Sequence, residues 1–189
     1  MRMTILATLA AFVAAPAFAD EVWTLNSEES SIRYISMKNG EIAETNIFTG
    51  LSGQVSDGAA TIAIDLTTVD TGIDIRNERM RKHVYGEDGE AIITADIDMD
   101  VLEGLDVGAF ETIEADLMVA VNGDAIDFYA DLTVARLDED TVLVVNPSPL
   151  LVHADDFGFA DGIATLKQLA GLDSIQLAVP VTVELAFER

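Results

Sequence analysis

The 189 residues contain 34 Asp and Glu against 10 Lys and Arg, a formal net charge of -24, with 50% hydrophobic residues and no cysteine. One domain suits this length, and so apolar a composition excludes intrinsic disorder, because disordered acidic chains lack the side chains to build a core. The charge argues against nucleic acid, whose binding needs a basic face to displace counterions, and the missing cysteine excludes disulfides, thiolate metal sites and thiol nucleophiles.

The chain opens on MRMTILATLAAFVAAPAFA, with Arg2, an apolar run from Ile5 to Ala15, and Ala17-Phe18-Ala19 before Asp20. This is the charged start, hydrophobic middle and small-residue cleavage site of a secretory signal, so residues 1–19 are expected to be removed and 20–189 to form the mature domain. Losing Arg2 leaves nine basic residues against 34 acids, a mature charge of -25. No later stretch approaches the length needed to cross a bilayer as a helix, so a periplasmic or secreted protein without stable membrane insertion is expected.

Beyond the signal the hydrophobic period is two, the signature of strands with one apolar face. Thr61 to Leu66 sends Ile62, Ile64 and Leu66 one way, and Ile93 to Asp100 alternates with Asp96, Asp98 and Asp100 on one side. Ile113, Ala115, Leu117, Val119 and Val121 form a further row; Ile126, Phe128, Ala130, Leu132 and Val134 form the next. The longest runs from Ile175 through Val179, Val181, Val183 and Leu185 to Phe187. Asp57-Gly58, Asp88-Gly89, Asn122-Gly123-Asp124 and Leu137 to Asp140 are turn signals between them. Several antiparallel strands joined by short turns predict a sandwich or a closed barrel.

The alternation fails in two places. Asp74 to Tyr85 fits a short helix or ordered loop, and a helical turn fits Ala164 to Ala170 within the glycine-bearing stretch from Phe157 to Leu172. Asn146-Pro147-Ser148-Pro149 reads as a bend or bulge between strands. Asp96, Asp98 and Asp100 resemble the start of a calcium loop, but Val101 stands where that loop requires glycine and no Glu follows at the twelfth position, so a solvated strand face is expected instead.

Arg76, Arg79, Arg81 and Lys82 place four of the nine mature cations within seven residues. Two readings are open: an anion clamp at a barrel mouth, where guanidinium groups meet a phosphate or carboxylate head, or ion pairing with neighbouring surface acids. On a helix, Arg76, Met80 and His83 share one side with Arg79 beside them. His83 and His153, the only histidines, match no compact ligand spacing, so no metal site is expected. Ser148, His153 and Asp155 lack the strained nucleophile turn of a hydrolase, and 34 acids make any chosen carboxylate pair uninformative. No catalytic residue is assigned.

Taken in order, several segments carry a resemblance: Trp23-Thr24-Leu25, Ser31-Ile32-Arg33-Tyr34, Phe48 with Thr49-Gly50-Leu51-Ser52-Gly53, Ile64 to Gly72, Ile75-Arg76-Asn77-Glu78-Arg79-Met80-Arg81, Asp156-Phe157-Gly158-Phe159, and Val179 to Leu185. From about Val22 to Glu188 the chain resembles the YceI-like family of secreted, polyisoprenoid-binding, lipocalin-like bacterial proteins. It departs from the family pattern at Asn77, where an Asp is usual, and at Val84-Tyr85 and Ala91 to Thr94, where an aromatic pair and a proline-led strand are usual; a less aromatic pocket wall is therefore expected. The resemblance implies an all-β fold, an eight-stranded antiparallel barrel capped by short helices and enclosing an isoprenoid or other long-chain amphiphile such as a polyprenyl chain or isoprenoid quinone. Trp23, Phe48, Ile62, Ile64, Leu117, Phe128, Leu132, Val181 and Val183 are the candidate lumen wall, and Arg76, Arg79, Met80 and His83 the candidate head-group site. No cofactor is expected, and a homodimer is an allowed assembly. Two other readings stay open: an extracytoplasmic enzyme acting on a lipid-like substrate, and an interaction protein whose barrel is filled by side chains.

Overall fold

The structure, a computed structural model, describes residues 22–189. The expected signal segment lies outside the described residues. Ten strands follow in chain order: β1 (Trp23–Leu25), β2 (Ser31–Lys38), β3 (Ile42–Ser56), β4 (Ala59–Asp70), β5 (Glu90–Asp96), β6 (Phe110–Val121), β7 (Asp124–Arg136), β8 (Thr141–Val145), β9 (Leu150–His153) and β10 (Ala178–Glu188). Strands β2 to β8 each pair antiparallel with the next, and β10 closes the ring by pairing with β2 on one edge and β8 on the other. The ring therefore has eight strands, as expected, and closure leaves it no free edge. Helix α1 (Asp74–Met80) runs directly into a π-type turn (Arg81–Tyr85), α2 (Met99–Gly104) follows β5, and a 3-10 turn (Ala154–Phe157) precedes α3 (Ala160–Ala170).

The period-two rows form these strands because one face of each is apolar and buries inward: Ile62, Ile64 and Leu66 are all buried. Asp57-Gly58 and Asn122-Gly123 make two-residue hairpin turns with both residues at positive φ (51° and 76°, 53° and 95°), the geometry that matches strand twist and favours Asp or Asn followed by Gly. Asn146 to Pro149 interrupts an otherwise continuous partner of β10. Leu150–His153 pairs with Ala178 to Val181, Thr141–Val145 with Glu184 to Glu188, and the Asn146 side chain fills the gap by donating to the Val181 carbonyl (3.0 Å) and accepting from the Val183 amide (2.8 Å).

One expectation is corrected. The Asp96 to Asp100 segment is not a strand face: β5 ends at Asp96, and Asp98 caps α2 by accepting from the Asp100 amide at 3.0 Å. The apolar residues that follow, Leu102 above all, bury against the barrel end as one face of a helical turn.

The core is uneven along the barrel axis. On β10 the residues from Ala178 to Val183 are only half-buried, whereas Leu185, Ala186 and Phe187 are fully buried. At the latter end Trp23 (0% exposed) and Val142 fill the barrel, and the guanidinium groups of Arg136 and Arg189 lie over the indole at 5.7 and 4.8 Å, within cation–π range. This end is closed, and the other, beneath α1 and α3, is open.

Candidate functional site

The open half of the barrel encloses a cavity of about 420 Å³, within the roughly 300–1,000 Å³ usual for small-molecule sites. Inward rows of β2, β4, β5, β6 and β10 form its apolar wall, so residues that alternation directs to a core face a void instead. An aromatic chain runs up one side: Tyr34 stacks on Phe48 at 5.4 Å, Phe48 meets Tyr85 edge-on at 5.6 Å, and Tyr85 meets Phe159 edge-on at 5.4 Å. The aromatic surface of the wall is supplied by β2 and β3, the π-type turn and the segment before α3.

Two hydroxyls interrupt this apolar wall. Tyr85 donates to the Tyr34 oxygen at 3.2 Å, and Tyr34 donates to the Met80 sulfur at 3.7 Å. Burial pushes the Tyr34 hydroxyl up to about 12, partly offset by the Tyr85 bond and the Arg76 charge, and burial raises Tyr85 well above the ordinary tyrosine value. Both remain neutral donors and acceptors through the physiological range.

At the mouth the wall turns polar. Asn46 donates to Ser36 at 3.1 Å, and Glu44 bridges Lys38 and Arg76, with the Arg76 contact at 2.5 Å. A second Arg76 nitrogen donates to the Thr71 carbonyl at 2.5 Å, while its buried Nε has no partner. Burial alone would raise the Glu44 carboxyl, but Arg76 and Lys38 outweigh it and hold it below the usual carboxylate range. One carboxylate thus faces two cations, leaving the cluster with a net positive charge. Arg79 also lines the cavity, and among the described residues its side chain makes no hydrogen bond or ion pair.

Helix α1 is held over this mouth by Asn77, whose carbonyl oxygen accepts from the Thr71 amide (2.9 Å) and hydroxyl (2.6 Å) and whose amide donates to Asp70 (3.2 Å). An Asp at this position could not make the last bond, since an ionised carboxylate has no proton to give Asp70. Helix α3 closes the side of the mouth by packing against the π-type turn, where Gly162 sits so close to the His83 carbonyl that any Cβ would collide with it.

Of the candidate lumen residues, Phe48, Ile64, Leu117, Leu132, Val181 and Val183 line this cavity. Trp23 and Ile62 line a smaller, adjoining one of about 100 Å³ at the closed end, which Leu117, Leu132 and Val183 also touch. Phe128 lines neither and stacks on Phe157 at 6.5 Å. Arg76, Arg79 and Met80 are at the mouth, whereas His83 lies outside the cavity lining. No cluster of three or more metal-ligating side chains occurs among the described residues, and there no side-chain hydrogen bond joins Ser148, His153 and Asp155.

Both the barrel and its sequence recur in a solved polyisoprenoid binding domain from Saccharophagus degradans implicated in plant cell wall breakdown: identity is 35%, the TM-score is 0.85, and the match covers 88% of this chain and 97% of that one. The chain belongs to the YceI-like family. A second solved YceI-like barrel, BcnA of Burkholderia cenocepacia, matches with a TM-score of 0.65 at 14% identity over 86% of this chain and 98% of that one, a likeness of fold alone. No protein-family model and no curated protein matches the chain.

Within this YceI-like barrel, sequence reasoning passed over Lys38, Glu44, Asn46, Tyr34, Tyr85 and Phe159. The inward row of β2 reads Ile32, Tyr34, Ser36, Lys38, changing from apolar to polar as it nears the mouth. A search for unbroken apolar rows discards such a strand; a search for rows that change character along their length would have found it.

Proposed function

We propose that this protein is a non-enzymatic, extracytoplasmic carrier that holds an isoprenoid-like amphiphile, a polyprenyl chain or isoprenoid quinone, with its tail in the open half of the barrel and its head at the mouth. The observation that carries this reading is the apolar cavity of about 420 Å³ whose polar groups concentrate where α1 and α3 meet the rim. Burying ten tail carbons contributes about 8 kcal/mol gross, before the costs of ordering the tail. Such a tail is poorly soluble, and a dry barrel lets it cross an aqueous compartment. The similarity to a polyisoprenoid-binding domain supports the ligand class, and the signal-like sequence at 1–19 supports an extracytoplasmic site of action.

At the mouth, Arg76 and Arg79 suit an anionic or strongly polar head. Arg79 has no competing partner among the described residues, and Arg76 carries an unused buried donor. One chain encloses the cavity, so carriage requires no second copy. Native mass spectrometry of the purified mature protein, followed by organic extraction, tests the reading. The expected result is an adduct that extracts as an isoprenoid lipid and is bound more weakly after Arg76→Gln with Arg79→Gln. Unchanged affinity in that double variant contradicts the head-group assignment, turnover of the lipid contradicts the non-enzymatic one, and a mature N-terminus at Met1 in place of Asp20 contradicts the compartment.

A further inference from the structure

The lumen has two compartments. The cavity open at the mouth and the smaller one at the closed end share four lining residues, Ile93, Leu117, Leu132 and Val183, one each from β5, β6, β7 and β10. These four side chains, common to both linings, form a waist between them. Below it, the smaller cavity is lined almost wholly by apolar side chains, among them Trp23, Val142 and Leu185, and is bounded by Val101 of α2.

We infer that this waist and the compartment beneath it measure the length of the tail, admitting its terminal unit and selecting ligands of about four isoprene units. This rests on the isoprenoid reading above and gives it a size limit. An apolar cavity of about 150 Å³ stays dry and takes one benzene, so by the same measure the upper compartment of about 420 Å³ holds about seventeen carbons and the lower one of about 100 Å³ about four. Three units fill the upper compartment, and the branched end of a fourth fits the lower. A void lined by apolar groups loses dispersion contacts on its inner surface, so a terminal unit that fills it restores them without displacing bound water. Beyond four units, the packed closed end, with Trp23 between the barrel wall and two guanidinium groups, leaves the chain no further room.

Trp23 is the single tryptophan of the whole sequence and lines only the lower compartment, so its emission reports whether a tail has passed the waist. The test titrates the mature protein with three-unit farnesol, four-unit geranylgeraniol and nine-unit solanesol, reading affinity and Trp23 fluorescence together. Each added methylene is worth about fourfold gross, so affinity should rise at least tenfold from farnesol to geranylgeraniol and rise no further with solanesol. Trp23 emission should shift with geranylgeraniol and not with farnesol. In Val101→Phe, which fills the lower compartment from the half-buried side, geranylgeraniol should fall to the affinity of farnesol and leave Trp23 emission unmoved. If that variant does not fold, the length series on the unaltered protein decides alone. Affinity that climbs through nine units, or a farnesol complex that shifts Trp23 as geranylgeraniol does, overturns the length limit and leaves the carrier reading standing. Absence of binding at every length overturns both.

Discussion

Tyr85 donates its hydroxyl hydrogen to the oxygen of Tyr34, 3.2 Å away, across a ring of Phe48 that touches both. The two tyrosines come from residues 51 positions apart and meet because β2 and the π-type turn face each other over the cavity. Replacing Tyr34 by Phe leaves the Tyr85 hydroxyl buried without that acceptor, at an expected cost of about 1–3 kcal/mol. Replacing both by Phe removes donor and acceptor together and should cost less than the two single changes summed. Urea unfolding of the two single variants and the double variant measures the coupling; additive losses would mean that the bond contributes nothing.

The same pair sets an alkaline limit. The folded value of Tyr34 is about 12 and that of Tyr85 also lies well above 10.0, the ordinary value. Their raised values contribute stability that is fully present below pH 10 and is lost as pH rises through the folded values. The unfolding midpoint should therefore fall between pH 10 and 12 more steeply in the unaltered protein than in the doubly Phe-substituted one. Parallel curves would show that other groups govern the alkaline loss.

Glu44 sets the opposite dependence. Its carboxyl is held below the ordinary range, so the stability it contributes is present above the unfolded value and is lost as pH falls through the folded one. Glu44→Gln should flatten this acid limb. It also releases Lys38 and Arg76 at the mouth, and an amphiphile with an anionic head should then bind about two- to fivefold tighter, the scale of a partly exposed ion pair, while one with a neutral head changes little. Titration with both head types at low salt checks this, and equal changes for the two would place the head away from Glu44.

Gly162 lies in α3 where the helix touches the backbone of the π-type turn. Alanine is the better helix former by about 1 kcal/mol, so a surface position would gain from Gly162→Ala. Here the added methyl meets the His83 carbonyl, and displacing α3 should cost about 1–3 kcal/mol net. Thermal unfolding gives the sign: a lower Tm supports the close approach, and a higher one contradicts it.

The strands were legible because their code is local. Ile62, Ile64 and Leu66 alternate with small or polar neighbours whatever lies across the barrel, and the Asp57-Gly58 and Asn122-Gly123 turns carry their own backbone preference. The Asp96 to Asp100 segment was misread because five residues of alternation are too few to exclude the entry to a helix, where Asp98 serves as the cap, and Leu102, which buries, lies beyond the run. Arg76, Arg79 and Met80 stood out as cations and their neighbours in an acidic chain, whereas Glu44 is one acid among 34 and acquires its role only when α1, packed over the mouth, brings Arg76 to it from 32 positions away. The π-type turn and the Gly162 contact depend on tertiary packing, and the waist depends on strand register, neither of which alternation within one strand records.

The most direct test is native mass spectrometry of residues 20–189 purified without added lipid and then mixed with an isoprenoid alcohol. A discrete one-to-one adduct is expected, either carried through purification or formed on mixing, whose tail protects the residues lining the cavity of about 420 Å³ from hydrogen exchange. A protein that stays at its bare mass under both conditions, with unchanged exchange at Tyr34, Phe48 and Val181, would contradict it.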